Sequence, residues 1–141
     1  MMLMAELDGD QQADARAEIS RGLVQLHRQY YGKGPTKALT YMVNDSVVCL
    51  LHGGFTTVER TLIDSGDASA VHYIRHSFQT AMEVPFRKVI EDALDRKVIA
   101  YMSQVHHDPD LAVELFVLEK VPEILTAQRE EVKPDDDVSG A

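Results

Sequence analysis

Apolar residues recur every three or four positions in a first stretch of the chain, a spacing that predicts a helix with one buried face. We expect this helix to start near residue 14 and to stop at Gly32–Pro35, because glycine and proline do not continue a helix. The residues on its apolar face are Ile19, Leu23, Leu26 and Tyr30. The preceding residues 1–13 are expected to form a flexible lead-in.

A second helical period runs from Asp67 to about Asp95, and Pro85 within it predicts a kink or two abutting helices. Between the two periodic stretches, Thr56 and Glu59 have the spacing of a capping box, which predicts a short helix that ends at Gly66. The apolar residues of the long period are Val71, Ile74, Phe78, Met82, Phe86, Val89 and Ala93.

Two β-prone segments follow the two long helical stretches, and each contains a polar turn. Asn44–Asp45 separates the predicted strands Lys37–Val43 and Ser46–His52. The second hairpin is predicted in the same way. Its strands are Lys97–Val105 and Leu111–Glu119, joined by the turn His106–Asp110.

The two hairpins resemble each other, since Lys37–Met42 matches Lys97–Met102 in spacing and character. We therefore predict an α+β fold in which two αββ units, about residues 14–54 and 67–119, form one four-stranded antiparallel sheet with helices on one face. Residues 14–121 would be a single domain, followed by a mostly disordered acidic tail at 122–141. Both faces of the sheet receive apolar residues, which favours a homodimer that pairs sheets or edge strands.

Composition restricts the class of partner. The 141 residues carry a formal net charge of −9, which argues against binding to nucleic acid or to anionic lipid. The single cysteine, Cys49, lies in an apolar run and fits a reducing compartment. No stretch has the roughly 20 apolar residues that span a bilayer, so direct membrane insertion is not expected and a cytoplasmic location is.

One loop segment is the best candidate for a binding site. It contains Gly32, Lys33, Gly34 and Lys37. Glycines let backbone N–H groups face a ligand and the lysines add positive charge, so a small anion could bind. The segment lacks the spacing and context of a P-loop, and a helix stop with two solvated lysines is the favoured explanation of it. Arg75 lies beside an apolar stripe and needs a partner if it is buried. Either it pairs with Glu59, or it converges with Lys33 on bicarbonate or phosphate.

His72 and His76 stand four residues apart, which would place two metal ligands on one helix face. Such pairs are common by chance, so they are weak candidates and no metal or cofactor is expected. The sequence has no nucleophile elbow, GxGxxG motif or paired-carboxylate arrangement. We therefore expect a non-enzymatic protein. The alternative is a small-molecule- or metal-dependent enzyme that uses the region of Lys33 and Arg75.

The segment Ile19–Glu119 resembles a family of small bacterial proteins, the MpsC-like or YbcI-like proteins, associated with a sodium-translocating, membrane-potential-generating system. One departure from the family pattern is Asp95, where glycine is usual. The resemblance implies a cytoplasmic accessory or regulatory component with a protein partner, such as a membrane transport component for ions or bicarbonate. It implies no catalytic residues. The segments that carry it are Gly32–Lys37, Leu51–Thr56, Glu59–Leu62, Arg75, Phe78, Arg96–Val98 and Asp108–Leu118.

Overall fold

A computed structural model describes residues 7–120 of the chain, which form four helices and four strands within that range. The helices and strands alternate as two α-then-hairpin units with a short helix between them. In chain order they are α1 (Gly9–Tyr31), β1 (Lys37–Val43), β2 (Ser46–His52), α2 (Thr57–Asp64), α3 (Ala68–Ala81), α4 (Glu83–Leu94), β3 (Val98–His106) and β4 (Leu111–Leu118).

Helix α1 begins at Gly9, ahead of the predicted start near residue 14. Asp8 caps it, because its side chain accepts a hydrogen bond from the Gln11 backbone and the Gln11 side chain accepts one from the Asp8 backbone. The first turns are polar and solvent-facing, so they carry no apolar period to reveal them. The helix ends as predicted at Gly32, whose positive φ of 79° suits glycine. Residues 1–6 lie outside the described part of the chain.

The long helical stretch is two helices, α3 and α4, which abut at Met82. The sequence predicted a kink at Pro85 or two abutting helices. The second alternative is found, and the junction lies three residues before Pro85. Pro85 occupies the first turn of α4, where its missing N–H is not needed. Its ring would have clashed with the carbonyl of Ala81 in a continuous helix, and α3 ends at that residue.

The predicted four-stranded antiparallel sheet of an α+β fold is confirmed, with the strand order β1-β2-β4-β3. The second strand of each hairpin is central, and the first strand of each is at an edge. Central pairing sets Ser46 opposite Val117 and His52 opposite Leu111. The second hairpin begins at Val98 instead of Lys97, and β3 continues to His106. A register shift lies between Val98 and Ala100.

One face of the sheet packs against the helices. Core residues from β2 and β4 alternate along the strands, as the pleat requires. Helices α1 and α4 contribute Ile19, Leu23, Phe86 and Ile90 to this core. A smaller cluster of Phe55, Val71 and Val105 lies beneath α2 and α3. The sheet residues in the main core are Val47, Cys49, Phe116, Leu118 and Val98.

The alternate strand positions point away from the helices, and we call this side the open face. Its central positions on β2 and β4 are half-buried by their neighbours in the sheet, while several positions on the edge strands are about half exposed. The apolar residues of the open face are Leu39, Tyr41, Val43, Val48, Leu50, Ile99, Met102, Val113, Leu115 and Val117. The sequence prediction for the tail at 122–141 lies outside the described residues.

Candidate functional site

The loop between β2 and α2, residues 53–56, brings together two of the predicted anion ligands. Lys33 Nζ donates to the carbonyl oxygen of Phe55 at 2.8 Å. Arg75 Nη2 donates to the carbonyl oxygen of Gly54 at 2.9 Å. The two cations thus converge, as the sharper hypothesis required, but in this structure they converge on adjacent backbone carbonyls.

Arg75 is paired with Glu59, as the first of the two hypotheses for a buried Arg75 predicted. Arg75 Nε donates to Glu59 Oε2 at 2.5 Å and Arg75 Nη2 to Glu59 Oε1 at 2.7 Å, and both side chains are buried. Burial alone would raise the pKa of Glu59, but the hydrogen bonds from Arg75 and Thr56 outweigh it and hold that pKa below its usual range. The pair is therefore ionised, and Glu59 also completes the predicted capping box of α2.

Aromatic rings enclose the Arg75 guanidinium. Its central carbon lies 3.9 Å from the ring centroid of Tyr31 and 5.3 Å from that of Phe55. These are cation–π distances, and they add stabilisation where the cation is desolvated. Tyr31 in turn contacts Phe78 at a centroid distance of 3.9 Å. Arg75 thereby joins α1, α3 and the loop at one point.

Asp110, in the second hairpin turn, anchors the same loop from the other side. Its carboxylate accepts hydrogen bonds from the backbone N–H groups of Gly54 and Phe55 and from Arg60. A cavity of about 10 Å³ lies among His27, Arg75 and Asp110, which is the room of about one water molecule. The space beside Arg75 is thus smaller than a bicarbonate or phosphate ion needs.

The remaining predicted anion ligands do not join this cluster. Gly32 ends α1, and Lys37 is an exposed residue at the start of β1. Gly34 packs closely on α1, since a Cβ there would lie 3.3 Å from Val24. In the structure, this segment ends α1, and its Lys33 binds the loop between β2 and α2. Anion binding itself stays a prediction.

A second polar cluster lies in the core between α1 and the sheet, and sequence reasoning missed it. Glu114 is 1% exposed, and its Oε2 accepts a hydrogen bond from the Tyr101 hydroxyl at 2.6 Å. His27 Nε2 lies 3.8 Å from Glu114 Oε1, while His27 Nδ1 lies 2.8 Å from the carbonyl oxygen of Leu23. The alternation in β4 places Glu114 on the buried face, which was the available signal.

Burial dominates the electrostatics of this second cluster. It raises the pKa of Glu114 to about 7, against the opposing effect of the Tyr101 hydrogen bond, and it lowers the pKa of His27. Burial also raises the pKa of the Cys49 thiol to about 12, so that thiol is unreactive at neutral pH. Near neutral pH, Glu114 can therefore gain or lose a proton inside the core.

The histidines considered as metal ligands are not assembled into a site. His72 lies beside His107, with ring centroids 6.2 Å apart, and His107 stacks on His106. His76 belongs to α3 and is exposed. Within residues 7–120, no group of three or more histidine, cysteine, aspartate or glutamate residues could hold a metal ion.

Comparison with known proteins gives one finding. A family model described as "Na+-translocating membrane potential-generating system (MpsC)" matches residues 11–120. No match was found among curated proteins or among solved structures. Among the helices of residues 7–120, none combines the length and the apolar character that crossing a bilayer requires.

Proposed function

The chain belongs to the MpsC family, described as part of a Na⁺-translocating membrane potential-generating system, and on that premise we propose that it is a non-enzymatic accessory or regulatory component. It would act in the cytoplasm through protein–protein contacts and serve a membrane system for ion or bicarbonate uptake. The observation that supports this proposal is the open face of the sheet. The Arg75–Glu59 and Arg96–Asp45 ion pairs, by contrast, are buried within the fold.

The open face exposes large apolar side chains on both edge strands. The exposed fractions are 47% for Tyr41, 58% for Val43, 51% for Ile99 and 52% for Met102. Four strands of about seven residues cover roughly 450 Å² of flat sheet, from a rise of about 3.3 Å per residue and a spacing of about 4.8 Å. The largest apolar patch on a monomer is typically about 300–600 Å² and is often functional, so a face of this extent is a candidate interaction site.

We propose a second copy of the chain as the occupant of the open face. The protein is strongly acidic, yet the positions that the central strands β2 and β4 place on the open face include no aspartate, glutamate, lysine or arginine. Residues near the axis of a two-fold interface lie next to their own symmetry copies, so a charged centre would repel itself and an uncharged centre does not. The modest area predicts a weak dimer whose population depends on concentration.

Light scattering on purified protein tests the dimer. Tyr41→Asp combined with Met102→Asp would place four carboxylates in the interface, and we expect only monomer at concentrations where the wild type dimerises. Tyr73→Asp is the matched control, because Tyr73 is 75% exposed on α3, away from the open face. A wild type that stays monomeric at every accessible concentration would refute the dimer.

The role in membrane energetics is tested in cells that carry the system. Deleting the gene is expected to lower the Na⁺-dependent membrane potential, reported by a potential-sensitive dye, and wild-type protein should restore it. If contact through the open face is the mode of action, the Tyr41→Asp/Met102→Asp protein should fail to restore it while the Tyr73→Asp protein succeeds. Full restoration by the double variant would contradict that mode of action.

A second proposal is that the protein senses a small anion through Gly32, Lys33, Gly34, Lys37 and Arg75. The alternative proposal is an enzyme that uses the same region. The convergence of Lys33 and Arg75 on neighbouring carbonyl oxygens favours anion binding, and the anion would have to replace those two hydrogen bonds. Calorimetric titration with bicarbonate and phosphate tests it. Equal heats for wild type and Lys33→Ala, with the fold intact, would remove the anion site.

A further inference from the structure

A groove of about 320 Å³ opens at one corner of the open face, where the β1–β2 turn meets the start of β3 and the end of β4. Its apolar lining comes from Val43, Ile99, Val117 and Leu118. Lys120, the last described residue, also lines it. This volume is at the lower end of the range for ligand pockets, and the lining suits apolar side chains.

The described part of the chain ends at this groove, which Lys120 lines. The backbone N–H of Glu119 donates to the carbonyl oxygen of Lys97, and Arg96 Nη2 donates to the carbonyl oxygen of Glu119. These bonds hold the chain beside β3 up to Glu119. The helix side of the sheet is already filled at this end, since Val98 and Leu118 are buried in the core. The residues that follow Lys120 therefore start at the mouth of the groove.

The sequence after Lys120 has the chemistry that the groove accepts. Val121, Ile124 and Leu125 are apolar, and Glu123 is the charged residue among positions 121–127. The continuation from Gln128 to the end is mainly polar and acidic. The large apolar residues of this segment are thus concentrated close to Lys120, where they can reach the groove.

We propose that residues 121–127 bind in this groove of the same molecule and cover that corner of the open face. Attachment at Lys120 gives the segment an effective concentration in the millimolar range, so a weak apolar contact suffices for occupancy. A second copy or another protein would have to supply its own apolar segment and displace an attached one. The inference goes beyond the proposed function, since it needs neither a dimer nor a membrane system.

Paramagnetic relaxation in the full-length protein tests the proposal. A nitroxide label on Thr126→Cys would be selective, because Cys49 is 1% exposed and its thiol pKa is raised by burial. We expect the amide signals of Val43, Ile99 and Val117 to broaden, and those of Gln104 at the far end of the sheet to stay sharp. A label on Val138→Cys is the control for non-specific approach. Equal broadening at both ends of the sheet would overturn the proposal.

Two further measurements fix the source of the contact. Mixing spin-labelled protein of natural isotope content with unlabelled ¹⁵N protein should leave the groove signals sharp, and broadening there would show a segment from another copy instead. Adding Ile124→Asp and Leu125→Asp to the labelled chain should abolish the broadening, whereas adding Gln128→Asp should not. Light scattering on the same samples reports the dimer separately, so failure of the dimer leaves this result readable.

Discussion

At the scale of single residues, Glu114 is the unusual group, a carboxyl buried in an apolar core. Its side-chain partners include the Tyr101 hydroxyl and the His27 ring, and Ser103 lies opposite it on β3. An ionised carboxylate in such a place is costly, so the folded state binds the proton more tightly than the unfolded chain does. Glu114 therefore couples folding to pH.

We expect Glu114→Gln to remove a loss of stability that the wild type shows as the pH rises. The folded pKa is about 7 and the ordinary value is 4.5. The stabilising contribution of the protonated group is complete below pH 4.5 and is lost as the pH rises through 7, a change of about 3 kcal/mol. Denaturant unfolding of both proteins across this range measures it.

The His27 contribution has the opposite sign. Burial lowers the pKa of His27, so its contribution to stability is present above its ordinary value of 6.5 and is lost as the pH falls. Both proteins retain His27, whose Nε2 lies 3.8 Å from Glu114 Oε1, so the difference between them reports Glu114 together with its coupling to His27. Parallel pH curves for wild type and Glu114→Gln would mean that folding does not raise the pKa of Glu114, and would refute the prediction.

A residue's role could be predicted where its chemistry and its position in the pattern together require a specific kind of partner. Arg75 on an apolar stripe demands a partner, and a capping position supplied Glu59, so the pair could be predicted. Glu114 was not singled out from the sequence, because its partners Tyr101 and His27 come from distant segments of the chain. The anion hypothesis for Lys33 could not foresee that a loop carbonyl lies within its reach.

At the scale of elements, helices α1 and α4 approach closely at Gly22. A Cβ at this position would lie 2.7 Å from Val89 Cγ1 and 3.2 Å from Cγ2. Valine is branched at Cβ and has little rotamer freedom in a helix, so it cannot move aside freely. Gly22 is thus required by packing, in spite of the helix propensity it sacrifices.

Gly22→Ala is expected to destabilise the protein by roughly 1 kcal/mol. Overpacking costs about 1–3 kcal/mol, and the gain in helix propensity returns about 1 kcal/mol. Gly9→Ala is the matched control, because nothing lies within 4 Å of a Cβ there. Chemical denaturation measures both. Restoration of stability by adding Val89→Ala would identify the contact, and a Gly22→Ala protein more stable than the wild type would refute it.

The elements themselves were largely predictable from sequence. The bounds of β1 and β2, the end of α1 and the capping box of α2 follow from local turn and cap chemistry, which acts over a few residues. The start of α1 at Gly9 was not predicted. Two abutting helices were one of the predicted alternatives, but the position of their junction at Met82 was not predicted. In both places the local sequence pattern gives no signal. The first turns of α1 are polar and have no apolar period, and the helix junction lies before the proline that causes it.

At the scale of the whole molecule, the proposed dimer joins two acidic chains through an uncharged face. The formal net charge of −9 on each chain opposes association at long range. The strand order that creates this face could not be predicted, because either hairpin edge could have paired with the other hairpin. The number of strands and their antiparallel direction could be predicted, because the two hairpins resemble each other.

We expect the dimer to tighten as ionic strength rises. Salt shortens the screening length from about 30 Å at 0.01 M to about 3 Å at 1 M, which weakens repulsion between the chains without weakening apolar contact. Sedimentation velocity over a salt series gives the dissociation constant. A dimer that weakens with salt would indicate ion pairs in the interface, and the open face would not be its centre.

The shift in register at the start of β3 makes the two edges of the sheet unequal. Strand β1 is a regular edge, whereas Ile99 has no partner between Val98 and Ala100, and such a bulge blunts an edge against further pairing. If two sheets joined through β1, an antiparallel pair about a two-fold axis would leave only bulged edges outside. In that arrangement, growth from edge to edge would stop at two molecules.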